Sequence, residues 1–144
     1  MEAGVATAVA ERSWHVVVPH HARGARAARH RLTTELAGTV PDELLADVIA
    51  VTGELVVNAV RHARPLPGDV IRVAWSVTPA GVVQVRVTDG GGRLRPNPRQ
   101  AGPQALDGRG LQIVGALANR WGVEHDNRGQ SVWAELGEHS HSLA

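Results

Sequence analysis

Glu54, Asn58 and His62 stand four residues apart in the stretch ELVVNAVRHA, among Leu55, Val56, Val57, Ala59, Val60 and Ala63. On a helix this spacing stacks the three polar side chains in one stripe, each a turn above the last. A carboxylate and a carboxamide set against so much apolar surface are costly unless something binds them. The carboxylate is suited to taking a proton from a hydroxyl, and the carboxamide oxygen to ligating a hard cation. An ion pair with a nearby arginine is the competing reading of Glu54.

Two more stretches carry chemistry. TDGGG (88–92) places Asp89 at the end of an alternating apolar run; Asp followed by glycine is also ordinary turn sequence. DGRGLQIV (107–114) sets Gly108 and Gly110 before a helical pattern. A Gly-X-Gly that feeds a helix N-terminus exposes backbone N–H groups at a positive dipole end, which suits an anion. Glycines relieving a close helix contact are the plainer alternative.

The elements that must position these residues follow from periodicity. WHVVVP (14–19) predicts a strand ended by proline. Residues 22–38, rich in alanine and arginine and stopped by Gly38, predict a helix. A second helix is expected from Pro41 to Arg64, with two acids in its first turn and Pro65 closing it. Residues 69–77 and 81–89 alternate and are joined by TPAG, a hairpin. Residues 93–107, rich in arginine and proline, are too irregular for an element, and a loop of that length inside a domain is usually functional or disordered. GLQIVGALANRW predicts a short helix, and WGVEHDNRGQSVWAEL a hairpin turning at DNRG. The order β-α-α-β-β-loop-α-β-β predicts an α+β fold, a two-layer sandwich of helices on one face of a mixed sheet of about five strands.

Composition narrows the function. The chain has 144 residues, enough for one domain with a real core, expected over 13–137 between flexible tails at 1–12 and 138–144. All 15 basic residues are arginine, which excludes a Walker A lysine and Schiff-base chemistry. There is no cysteine, so no disulfide, thiolate metal site or thiol nucleophile. A net charge of +1 and the absence of Phe and Tyr argue against direct nucleic-acid binding. No apolar run reaches membrane-spanning length, and the N-terminus lacks the basic region of a signal peptide, so cytoplasmic residence is the expectation. His20, His21 and the HSH at 139–141 find no partner at ligand spacing and read as solvated surface. Arg23, Arg26 and Arg29 form a basic helix face of the kind usually just solvated, with docking of an acidic partner the lesser reading.

Taken together and in this order, the three stretches resemble the motifs of the GHKL ATPases, the group of gyrase, heat-shock chaperone, histidine kinase and mismatch-repair nucleotide-binding domains. ELVVNAVRHA is similar to the asparagine box, DGGG to the first glycine box and GRGLQIV to the second. The likeness is greatest to the small single-domain serine/threonine kinases that act as bacterial anti-sigma factors, and it runs over roughly 14–136. What the resemblance implies is an Mg²⁺-ATP site. Glu54 would be the general base and Asn58 the metal ligand. Asp89 would accept a hydrogen bond from the adenine amino group, where guanine offers an acceptor instead. Gly91 would let the backbone approach the base. Gly108, Arg109, Gly110 and Leu111 would contribute to the phosphate cradle, Ser131 would line the adenine pocket, and 93–107 would be a lid. His62 fits the pattern, as either a nucleotide contact or a structural hydrogen bond. The implied partners are a sigma factor and a STAS-type anti-sigma antagonist, and relatives of this kind are often homodimers. No histidine-phosphorylation helix pair is present. Arg93 stands where the first glycine box has its last glycine, and a left-handed turn there disfavours arginine. That departure bears on phosphotransfer more than on nucleotide binding and motivates the alternative of a non-catalytic, ATP-dependent protein-binding switch.

Overall fold

The computed structural model describes residues 12–92, 111–127 and 129–137. β1 (Arg12–Pro19) leads through two helices, α1 (Ala22–Leu36) and α2 (Asp42–His62), to the hairpin β2 (Val70–Val77) and β3 (Val83–Asp89). A helical segment over 111–117, here α3, precedes the second hairpin, β4 (Arg120–His125) and β5 (Gln130–Leu136). The sheet has five strands in the order β1-β2-β3-β5-β4.

Every neighbouring pair is antiparallel, so the expectation of a mixed sheet is corrected to an antiparallel one. The cause lies in the connections. With two successive helices between β1 and β2 the chain reverses three times, which returns β2 opposed to β1. The single helix between β3 and β4 leaves those two strands pointing the same way, but β5 inserts between them and no parallel ladder forms.

Alternation fixes which face of the sheet is covered. Ile71, Val73, Trp75 and Val77 of β2, Val83, Val85 and Val87 of β3, and Val132, Ala134 and Leu136 of β5 are all buried. They share one core with Leu32 and Leu36 of α1 and Val48, Val51, Leu55 and Val56 of α2. α2 lies over β3, β5 and β2, and α1 packs on β1 and the flank of α2. The opposite face carries Arg72, Gln84, Arg86, Trp133 and Glu135, tied by the pairs Arg86–Glu124 at 2.7 Å and Arg120–Glu135 at 3.0 Å. Trp14 stacks on Trp75 across the β1–β2 pair, ring centroids 6.2 Å apart.

The helices begin and end where their sequences direct. Asp42 and Glu43 occupy the first turn of α2 and Arg61 and His62 the last, each charge opposing the local end of the helix dipole. α1 ends just before Gly38, whose φ of 83° takes the chain out of the helix. Gly53 sits inside α2, and the guanidinium of Arg29 from α1 lies over it. Among the described residues no helix is long and apolar enough to cross a membrane.

Candidate functional site

The site forms where the C-terminal half of α2 meets the end of β3. The segment leaving α2 pairs with the glycines that follow β3. Arg64 N–H donates to the Gly91 carbonyl at 2.8 Å, and Gly90 N–H donates to the Arg64 carbonyl at 2.7 Å. These bonds hold the helix of Glu54 and Asn58 beside Asp89, although the two segments are far apart in sequence.

Asp89 is the last residue of β3 and points to the helix-covered face, 2% exposed. Its Oδ1 accepts the Gly91 N–H at 2.7 Å, a turn that Gly91 completes at φ 98°. Burial raises the carboxyl to about 6, against the opposing pull of the Gly91 N–H and of His20 and His125. One carboxylate oxygen is thus engaged by the backbone and the other is left to meet a ligand.

Asn58 is 7% exposed, and its Oδ1 has no hydrogen-bond partner among the described residues. A buried oxygen without a donor is costly in the free protein and suits a cation or a ligand N–H. Magnesium prefers oxygen ligands and keeps several waters, so a single side-chain oxygen with phosphates fits it. Among the described residues no three acidic, histidine or cysteine side chains gather as a metal cage. Glu54, one turn earlier, is half-buried and forms no ion pair among the described residues. His62 is exposed at the end of α2 and is engaged in an interaction of its own.

Other expectations fare differently. Ser131 lies on the opposite face of the sheet, its Oγ 2.8 Å from Thr88 Oγ1, so its side chain is turned away from Asp89. The cause is the two-residue period: Gln130, not Ser131, is the cross-strand partner of Asp89. Leu111 buries its side chain in the core at 2% exposure, leaving only its backbone for a phosphate cradle. Gly108, Arg109, Gly110, Arg93 and the expected lid at 93–107 lie outside the described residues.

His20 departs from the expectation of solvated surface. It is half-buried, its Nε2 2.9 Å from the Ala63 carbonyl and 3.3 Å from that of Ala59, so it caps the C-terminal end of α2. Contacts across 39 and 43 residues leave no local trace in a sequence. Gln130, buried beside Asp89, is the neighbour that motif reading misses; the alternation of β5 is the signal that could have found it.

A helix layer on an antiparallel sheet, with a buried carboxylate at a strand end beside a covering helix that carries a buried asparagine, is the arrangement of a nucleotide-binding class of α+β domain. The profile of the histidine kinase-like ATPase domain matches residues 18–136, and the chain belongs to that family. No curated protein matches the chain. Among solved structures, the fold is similar to the crystal structure of the RsbU and RsbW domains of Rv1364c from Mycobacterium tuberculosis, at 23% identity and a TM-score of 0.67. The match covers 87% of this chain and 32% of that one, so it spans only about a third of that chain's length.

Proposed function

We propose that this protein is an Mg²⁺-ATP-dependent protein serine/threonine kinase that regulates a sigma factor by phosphorylating a serine on an antagonist protein. The observation that carries the reading is the buried Asp89 set beside the helix that bears the orphaned Asn58 oxygen and, one turn away, Glu54. The resemblance of the three motifs to those of the anti-sigma serine/threonine kinases supports the choice of pathway, and the fold is similar to that of a protein with an RsbW domain.

In this reading Asp89 holds the adenine amino group and Gly91 admits the base. Asn58 would hold magnesium, which supplies charge neutralisation at the phosphates when bound. Glu54 takes the proton of the substrate serine as its Oγ bonds to the γ-phosphorus and the bond to the ADP oxygen breaks. The proton resides on Glu54, the phosphoryl group on serine, and ADP leaves with the electron pair.

The experiment is to mix the protein, Mg-ATP and a candidate STAS-type antagonist and follow phosphoserine by mass spectrometry. Transfer that falls at least about a hundredfold in Glu54→Gln, with ATP affinity retained, is the expected result. Transfer unchanged in that variant removes Glu54 from the chemistry. Nucleotide binding without transfer to the cognate partner favours the non-catalytic switch that Arg93 motivates.

A further inference from the structure

We propose that His20 is a positioning residue of the candidate site, its imidazole N–H clamping the end of α2 beside the Asp89 carboxylate so that the two sides of the site meet in register. The assignment rests on the nucleotide reading above and deepens it by naming what sets Asn58 and Asp89 relative to each other.

His20 stands where separate segments converge. It follows Pro19 at the end of β1, and its backbone N–H donates to the Asp69 carbonyl at 3.0 Å, just before β2. Its ring crosses to the helix layer, with Nε2 2.9 Å from the Ala63 carbonyl and 3.3 Å from that of Ala59. Both partners are carbonyl oxygens and can only accept. Nε2 therefore carries a proton, and its N–H is shared between them.

The two carbonyls flank the site. Ala59 directly follows Asn58. Ala63 is the C-cap of α2, where the last carbonyls have no partner within the helix. It also precedes Arg64, whose N–H and carbonyl bond to Gly91 and Gly90. The ring thus holds α2 between the turn that carries Asn58 and the segment that ties the helix to the end of β3.

The backbone beneath the ring is fixed as well. His21 N–H donates to the Pro19 carbonyl at 2.8 Å, and Gly24 N–H donates to the His21 carbonyl at 2.7 Å. A Cβ at Gly24 would collide with the Pro19 carbonyl oxygen, so α1 starts hard against the end of β1. The clamp is in place before any ligand arrives. His20 also acts on Asp89 through space. Burial raises that carboxyl, while the Gly91 N–H, His20 from the β1–α1 turn and His125 from β4 oppose the rise.

The test compares His20→Gln, whose amide places an N–H near the position of Nε2, with His20→Phe, which keeps a ring and has no donor. In calorimetric titration at pH 8, ATP affinity is expected to fall about tenfold in His20→Phe and to stay within about twofold of wild type in His20→Gln. Glutamine cannot take a positive charge, so ATP affinity in His20→Gln is expected to begin weakening at a higher pH than in the wild type. Nitrogen-15 spectra of the wild type are expected to show the neutral His20 ring protonated at Nε2. Unchanged affinity in His20→Phe, equal loss in both variants, or one pH profile for wild type and His20→Gln overturns the assignment. Where His20→Phe fails to fold, the spectrum and His20→Gln decide, and a neutral ring protonated at Nδ1 overturns the clamp. Absence of ATP binding to the wild type overturns the parent reading instead, an outcome distinct from each of these.

Discussion

The Asp89 carboxylate accepts the amide N–H of Gly91 at 2.7 Å while buried to 2% exposure at the end of β3. One bond and two nearby histidines do not offset the loss of water, and the carboxyl is raised from 3.8 to about 6. A site residue is thus held at a cost to the fold, and the cost has a pH signature.

Because the folded value lies above the unfolded one, the contribution of Asp89 to stability is complete below about pH 4 and is lost as pH rises through about 6. Asp89→Asn stays neutral throughout. Its unfolding free energy at pH 7.5 is expected to exceed the wild-type value by about 1–3 kcal/mol, with the gap closing toward pH 4. Urea unfolding at a series of pH values measures it; a variant less stable than wild type at pH 7.5 contradicts this reading of the buried carboxylate.

In the proposed role, Asp89 meets the adenine amino group as an ionised acceptor. ATP affinity is expected to be flat above pH 7 and to weaken by up to about tenfold per unit below pH 6, as Asp89 takes up a proton. The same titration on Asp89→Asn is expected to show weak binding without that slope. A wild-type affinity constant from pH 5 to pH 8 would separate Asp89 from the base.

Two glycines answer oppositely to the same change. A Cβ at Gly53 would lie 2.8 Å from Arg29 Nη1, the far end of a flexible side chain that can swing aside. Gly53→Ala is therefore expected to stabilise α2 by about 0.5–1 kcal/mol. A Cβ at Gly129 meets the backbone of Asp89, which cannot yield without moving the site. Gly129→Ala is expected to cost about 2 kcal/mol or more and to weaken ATP binding. Thermal unfolding of both variants, followed by titration with ATP, checks the pair.

What is legible of the candidate site in the chain is local. The stripe of Glu54, Asn58 and His62 follows from the helical period, and the buried faces of β2, β3 and β5 from alternation. The pairing of strands is not legible, since insertion of β5 between β3 and β4 depends on contacts between distant segments. Ser131 stands one residue away from the inward position, enough in a strand to put a side chain on the other face. His20 becomes a helix cap only once the turn after β1 meets the end of α2, a meeting that no local pattern records.

The most direct measurement is calorimetric titration with ATP and GTP, with and without Mg²⁺, on the wild type and Asn58→Ala. One ATP per chain is expected, tightened by Mg²⁺ in the wild type and no longer so in Asn58→Ala, with GTP binding far more weakly. Equal affinity for the two nucleotides, or an Mg²⁺ effect that survives removal of the Asn58 side chain, would contradict the proposed site.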